Sequence, residues 1–595
     1  MKGVGGRWAA LGAVLVAVVL VPGSSASSAV LALSYPSTGA CAKSATGLNA
    51  CIASATDGST ITIKPGTYFE SGTVVAHSVT VTGSCGLPTS TVIDQGVAGD
   101  GFDVQASNVT IKCLTVRHGG TSHDGIVNTG AYNNLHVTQV DAFEEEYGIY
   151  QGTSGTTGLS VTSSKLMGSV SDGLYSAPVT GATVTGDTIE NASGRCVELI
   201  SLKKGTVSNN TLGVCGAQGV YIGAGANNTV STNKISTIDQ GCISVDSEAT
   251  SITTNVIDGC NGPAIFVDGN DPTITSNQIT GQVAGDTIQV DCGDNAVITG
   301  NTATGGNNAQ YFITVCQQNS SAETITNNTE SQGLVLFGVY CSPCDGATVT
   351  GNKILGGGQE SGIHVDGHDP VVNGNTVAGG WNNVGIHVDC TAVCLGSQVE
   401  KNVESGSNGD YGYELFNNGC SGATPCMTIS GNTSTGNKED GYLIATSNAL
   451  ISGNQATGNG YSSTGCNAGG SGFDIEIDFN TLAGNTSTGN ACDGFYVHGN
   501  SNELDGNTAT GNFALGFQVQ QTANTLDKDI STGNDGDGFN NDGTSTEFTN
   551  DKASGNRQDC TNDTTGGETA TIAVNTGNTC GDATNFAVTS TLTGW

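Results

Sequence analysis

The sequence predicts an all-β solenoid, a single column of stacked coils with a short helical cap at its start and another cap at its end. Three observations predict it. Thirteen asparagines recur at intervals of 22 to 31 residues: Asn210, Asn233, Asn255, Asn277, Asn301, Asn328, Asn352, Asn375, Asn402, Asn432, Asn454, Asn485 and Asn507, with Asp529 and Asp551 continuing the row. Each stands three positions after an apolar residue, from Val207, Val230 and Ile252 to Leu504. A Gly-apolar-x-apolar template also repeats, as in Gly101-Phe102-Asp103-Val104, Gly362-Ile363-His364-Val365, Gly385-Ile386-His387-Val388 and Gly494-Phe495-Tyr496-Val497. One polar residue at a fixed phase of such a repeat marks coils that stack. Stacked Asn amides can bond one another, which satisfies groups that are costly to bury.

The elements follow in order. Residues 1–29 carry Lys2 and Arg7, an apolar run over 9–21 and small residues over 23–29, the pattern of a secretory signal cleaved after Ala26 or Ala29. That run is short for a bilayer span, and no later stretch is long and apolar enough to be one. Residues 30–81 read as an N-terminal cap and first coil: 47–55 form a brief amphipathic helix, and 58–68 begin the strands. Residues 82–556 are the repeats. Each coil reads as a strand on the glycine template, a turn, a second strand ending at the Asn position, and a further turn; alternation buries the apolar pair and points the x positions outward. Residues 557–595 lose the phase and read as a C-terminal cap. The 595-residue length would otherwise suggest several domains, but a solenoid grows by adding coils to one core.

A helix closing the open end of stacked strands, followed by such repeats from Phe102 to Asn556, resembles the right-handed parallel β-helix proteins of the pectin-lyase-like superfamily. The resemblance covers most of the chain and implies a single-stranded right-handed parallel β-helix. It does not select an activity, because that superfamily includes lyases, hydrolases, epimerases, esterases, adhesins and carriers. The Asn-Thr-Asp, Asp-Asp and Gly-His-Gly signatures of polygalacturonase-like hydrolases are not intact here. Asp366-Gly367-His368-Asp369 before Pro370 only approximates the Asp-Pro-His-Asp of alginate-epimerase-like proteins.

Twenty cysteines in an exported chain read as disulfides between sequence neighbours: Cys41–Cys51, Cys85–Cys113, Cys196–Cys215, Cys242–Cys260, Cys292–Cys316, Cys341–Cys344, Cys390–Cys394, Cys420–Cys426, Cys466–Cys492 and Cys560–Cys580. The alternative for the Cys341 to Cys344 C-x-x-C run is zinc. A formal charge of −36 disfavours nucleic acid and anionic membranes as partners and suits a neutral or cationic one.

Coils stack about 4.8 Å apart, so aligning the template strands yields outward columns. The first reads Tyr150, Tyr175, Glu198, Tyr221, Ser244, Phe266, Gln289, Thr314, Gly338, His364, His387, Glu414, and the second Asp246, Asp268, Asp291, Cys316, Tyr340, Asp366, Asp389, Phe416. His364 over His387 and Asp366 over Asp389, with Asp369 and Glu414 nearby, form the candidate acid/base set. Two carboxylates one coil apart have the spacing of a retaining glycosidase pair, and one should hold its proton more tightly than the other. The same patch suits a His/Asp metal site, or a solvated face copied by repetition. Asp246, Asp268 and Asp291 are the candidate calcium ligands, or screened surface carboxylates. Tyr150, Tyr175, Tyr221 and Phe266, with Glu198 between, are a candidate sugar platform, or simply aromatics covering a sheet. Arg117, Arg195, Lys203 and Lys204 are the main basic group, with Glu144, Glu145 and Glu146 as oxygen donors. The resemblance makes Arg195 or Lys203 the base of a lyase.

These readings lead to a secreted, monomeric β-helix that binds, and cleaves or isomerises, an extracellular polysaccharide, with Ca2+ as the candidate cofactor. The alternative is a non-catalytic adhesin or wall-associated rod.

Overall fold

The computed structural model describes residues 30–581 apart from 45–46, 97, 292, 306–309, 316–319, 332–334, 392–393, 407–408, 418–424, 462–465, 467–468 and 563–571. The proposed signal segment, the Cys292–Cys316 pairing and Cys420 lie outside the described residues. The chain winds into a parallel β-solenoid of about 21 coils with very little helix. Each coil contributes strands to three parallel rows. In one coil these are Val220–Ala226 in the first row, Thr229–Ser231 in the second and Lys234–Ile238 in the third. Most described strands pair in register with their counterpart one coil on, as Val230 does with Ile252 and Ile235 with Ile257, although the register shifts within Val220–Ala226.

The three rows face a common interior. Ile243 and Val245 from the first, Ile252 from the second and Ile257 from the third are fully buried, and each such side chain contributes roughly 1.5–3 kcal/mol by leaving water. Further along, the first-row interior turns aromatic. Tyr413, Tyr442, Phe473, Phe495, Phe517 and Phe539 stack ring on ring at 4.6 to 4.9 Å, so the ring spacing equals the coil spacing. The open end is closed by the helix Gly47–Ala53, which turns Leu48, Cys51 and Ile52 inward.

The asparagine row lies inside the corner between the second and third rows. Asn233 shows the unit: its Nδ2 donates to Val207 O (2.9 Å) and to Asn255 Oδ1 (3.0 Å), while its own Oδ1 accepts the backbone N–H and the Nδ2 of Asn210. The pattern repeats through Asn507, and Asp529 and Asp551 extend it. The residue before each ladder member takes left-handed backbone. Gly351, Gly374, Gly431, Gly453, Gly484 and Gly506 do so with φ between 63° and 68°, which explains the recurrent Gly-Asn pairs. The ladder starts earlier than the asparagines do, with Asp187 accepting from Ser164 N (2.7 Å) and donating its own N–H to Asn210 (2.9 Å).

A second ladder occupies the corner between the third row and the next first-row strand. Asn437, Asn459, Asn490, Asn512, Asn534 and Asn556 bond in sequence at 2.8 to 3.0 Å. Its members stand five positions after those of the first, so the spacing was present in the sequence. At the far end, strand pairing runs past residue 556. Gln558–Asn562 pairs with Asp537–Asn541, and Asn578 takes the ladder position after Asp551. Coils therefore continue through Cys580, although the glycine template has lapsed.

Eight of the sequence-neighbour disulfides are present: Cys41–Cys51, Cys85–Cys113, Cys196–Cys215, Cys242–Cys260, Cys341–Cys344, Cys390–Cys394, Cys466–Cys492 and Cys560–Cys580. Cys341 and Cys344 are bonded to each other, which removes the thiolates that zinc would need.

Candidate functional site

Three adjacent first-row strands, Ile363–Asp366, Val384–Cys390 and Tyr411–Asn417, carry the His/Asp patch. Alternation buries Ile363, Val365, Ile386 and Val388 and leaves His364, Asp366, His387 and Asp389 pointing out. The register sets His364 beside His387, Asp366 beside Asp389, and Glu414 beside His387. The imidazoles of His364 and His387 stack at 4.4 Å with planes 8° apart.

Asp366 is the centre of the network. Its Oδ2 accepts the Ser342 hydroxyl (2.6 Å) and the His364 Nε2–H (3.0 Å), and its Oδ1 lies 3.8 Å from His387 Nε2. His387 Nδ1–H donates to Glu414 Oε2 at 2.7 Å. The side chains of His364, Asp366, His387 and Glu414 are only 14–19 % exposed, so these contacts are shielded from water. The two aspartates separate electrostatically. Burial would raise Asp366, but the hydrogen bond and charge of His364, the Ser342 hydroxyl and the charge of His387 hold it below its ordinary value. Asp389 is raised, by burial first and then by the Asp366 charge. Its Oδ1 is buried and has no hydrogen-bond partner.

Ser342 was not among the residues read from sequence. The strand Phe337–Cys341 pairs Tyr340 with His364 and with Thr314, so Tyr340 stands in the first column and Ser342 follows in the second. The sequence columns had placed Gly338 and Tyr340 there, two residues early. Thr314 and Tyr340 are 26 residues apart, a longer coil than counting from its neighbours allows. The correction joins an aromatic run to the patch. Tyr311 stacks on Phe337 (5.3 Å, 1°), Phe337 packs on Tyr340 (4.9 Å), Tyr340 stacks on His364 (5.0 Å, 23°), and Phe416 packs against His387 beyond (5.6 Å). Asp369 does not join: its Oδ1 accepts the backbone N–H of Leu395 and Gly396 at 2.7 and 3.0 Å, capping a turn.

The remaining candidates are dispersed along the same row. Tyr150 and Tyr175 stack at 5.1 Å and 13°, with Tyr147 tilted against both. Glu198 follows in register and pairs with Arg195, whose guanidinium lies 4.2 Å over the Tyr221 ring and whose Nε donates to Gln218. Ser244 then separates Tyr221 from Phe266, so the four aromatics are not one platform. Asp246 accepts the Tyr221 hydroxyl at 2.9 Å and Asp291 accepts Gln289 Nε2 at 3.1 Å. Asp268 is exposed, and with Asp246 and Lys203 it lines an open hollow of about 600 Å3. By contrast, the donor atoms of His364, Asp366 and His387 all lie within 4.8 Å of one another. Two imidazoles and one carboxylate suit a borderline transition ion better than calcium, which takes oxygen ligands.

Arg117 is not part of the Arg195 group. It bonds Asp94 through Nε and Nη2 on the strand Thr110–Arg117, with His118 Nδ1 on the other Asp94 oxygen at 3.0 Å, beside a hollow of about 470 Å3. Glu145 is buried, accepts Gly119 N–H at 2.9 Å and is pushed up to about 8 by burial.

A family model described as the right-handed β-helix region matches residues 147–302 and 241–403. No curated protein sequence matches the chain. Among solved structures, DFA-IIIase from Arthrobacter chlorophenolicus is similar at 12 % identity and a TM-score of 0.38, over 51 % of this chain and 95 % of that one. An alginate lyase from a Paenibacillus species is 16 % identical with a TM-score of 0.26, over 52 % of this chain and 99 % of that one. The A-module of a mannuronan C-5 epimerase from Azotobacter vinelandii is 15 % identical with a TM-score of 0.23, over 69 % of this chain and 94 % of that one. The chain is a right-handed parallel β-helix repeat protein, a fold that does not by itself select an activity.

Proposed function

We propose that the chain is a secreted glycoside-cleaving β-helix that lays a polysaccharide along the outward face of its first row and cuts it at the Asp366–Asp389 pair. The observation that carries this reading is the split between two carboxylates one coil apart. Asp366 is held below its ordinary value by His364, Ser342 and His387, while burial and then the Asp366 charge raise Asp389. A register pair on adjacent strands is separated by about 4.8 Å, close to the separation used by retaining enzymes. Asp366 is then the nucleophile or base and Asp389 the acid; His364 and His387 fix Asp366, and Glu414 fixes the orientation of the His387 ring. Tyr340, Phe337 and Tyr311, half-buried and packed on one another, give the path into the cut an apolar border. Eight disulfides fit an oxidising, extracellular setting.

The test is a panel of neutral and uronic polysaccharides scored for new reducing ends and for unsaturated products, with and without a chelator. New reducing ends are expected, unsaturated products are not, and Asp366→Asn should abolish turnover. Turnover that survives in the Asp366→Asn, Asp389→Asn double variant would show that the site lies elsewhere. Silence across the panel, with no binding, would leave the chain a structural rod.

A further inference from the structure

The outward face does not end at Glu414. The register carries the first column on through Leu443, Asp474, Tyr496 and Gln518 to Asn540, one residue per coil. Three coils past His387 a second polar group gathers. The His498 imidazole stands edge-on to the Tyr496 ring at 3.6 Å, and its Nε2 lies 3.9 Å from Asp474 Oδ1. Both of those atoms are buried without a hydrogen-bond partner. Gln520 Nε2 donates to the Tyr496 hydroxyl at 3.1 Å, and Gln518 Nε2 donates to Asp542 at 3.0 Å.

The charge on this face is distinctive. Among the described residues, neither the first nor the second column carries a lysine or arginine from Tyr340 to Asn540. The charges nearest Asp474 are the carboxylates of Asp440, Glu476 and Asp493, and burial together with their field pushes Asp474 up to about 8. Burial also lowers His498. At neutral pH the group is therefore an uncharged acid, an uncharged imidazole, a phenol and amides. These are donors and acceptors matched to hydroxyl groups, beside an aromatic face. A polyanion laid along this face would meet carboxylates and, among the described residues of the two columns, no lysine or arginine.

Resting on the cleavage reading above, we infer that the polymer this face takes is an uncharged polysaccharide, and that Asp474, Tyr496, His498 and Gln518 form a second anchoring site for it. From His387 to Asp474 is three coils, roughly 14 Å at the strand spacing. A chain cut at Asp366–Asp389 thus has to extend about three sugar units further to be held there.

The experiment is affinity electrophoresis of the full chain at pH 7 and low salt through gels containing dextran, mixed-linkage β-glucan, galactomannan or inulin, and through gels containing polygalacturonate or alginate. Retardation is expected on at least one neutral polymer and on neither polyuronate. On the neutral polymer, Tyr496→Ala and, separately, Gln518→Ala should weaken retention about fivefold, while Asp366→Asn abolishes turnover and leaves retention in place. Both variants replace partly exposed side chains, and an unchanged unfolding temperature confirms their fold. Retention only on a polyuronate that Asp366→Asn no longer cuts would overturn this inference while sparing the cleavage reading. Retention on a neutral polymer that neither Tyr496→Ala nor Gln518→Ala weakens would overturn the second anchor alone. No retention on any polymer would overturn both.

Discussion

At the scale of single residues, Asp366 and Asp389 differ because their surroundings differ. Asp366 has two hydrogen bonds on Oδ2, whereas Asp389 has burial and a neighbouring negative charge. The pH profile of kcat/KM should therefore be bell-shaped. Its acid limb, where Asp366 takes a proton, falls below the ordinary aspartate value of about 4, and its alkaline limb, where Asp389 loses one, falls above it. Asp389→Asn should slow the reaction at least about a hundredfold and erase the alkaline limb, and Ser342→Ala should shift the acid limb upward. An alkaline limb that persists in Asp389→Asn would assign the acid to another group. The two histidines and two aspartates were legible because Gly362-Ile363-His364-Val365 and Gly385-Ile386-His387-Val388 repeat with the same offsets. Ser342 and Tyr340 were not, because a longer coil precedes them and counting residues loses the phase. Asp369 looked like part of the set by proximity in sequence, yet one oxygen holds the backbone of the next turn.

At the scale of elements, the ladders fix which residue faces where. Asn375 donates to Val349 O (2.8 Å) and Asn402 Oδ1 (2.9 Å), and accepts from Asn352 N and Nδ2 (2.9 and 3.0 Å). Alanine there removes the two donors and strands buried partners on both sides, a loss of about 4 kcal/mol. The variant should unfold at lower urea and show faster amide exchange over the coils around residues 350–402. Equal midpoints for Asn375→Ala and the parent would mean that the ladder is ornamental to stability. The first ladder could be read from sequence because Val, Ile or Leu precedes each of its asparagines by three residues. The second was equally periodic, five positions on, but it starts only at Asn437, and Gly-Asn pairs are so frequent that its phase merges with the first. Whether a given Asn bonds to its neighbour depends on the turn backbone, which is set by the coil as a whole.

At the scale of the whole molecule, the formal charge of −36 overstates what the folded chain carries. Burial pushes Asp187, Asp493 and Asp551 up to about 7 and Asp474 and Glu145 to about 8. Asp529 shows why this is structural. In the ladder its Oδ1 accepts from Asn507, so Oδ2 falls where an asparagine would present its amide protons, buried and without a partner. Only a protonated carboxyl can donate there, and burial raises this group well above its ordinary value. In the unfolded chain these acids ionise near pH 4. Between about pH 4 and about 7 to 8 the native state therefore holds more protons than the unfolded state, and each group removes stability as pH rises, at up to about 1.4 kcal/mol per unit. The unfolding temperature should peak in mild acid and decline toward pH 8, the reverse of a protein held by salt-bridged carboxylates. Replacing Asp187 and Asp529 together by asparagine supplies amide donors where Oδ2 has no partner. It should raise the unfolding temperature at pH 8, have little effect at pH 4, and flatten the decline between them. Global self-repulsion would also weaken the parent at high pH. However, an aspartate-to-asparagine change at two exposed sites such as Asp57 and Asp268 lowers the charge equally and should leave the slope almost unchanged. If the exposed double variant flattens the curve as much as the ladder double variant, the pH dependence belongs to the net charge, and the buried acids are bystanders.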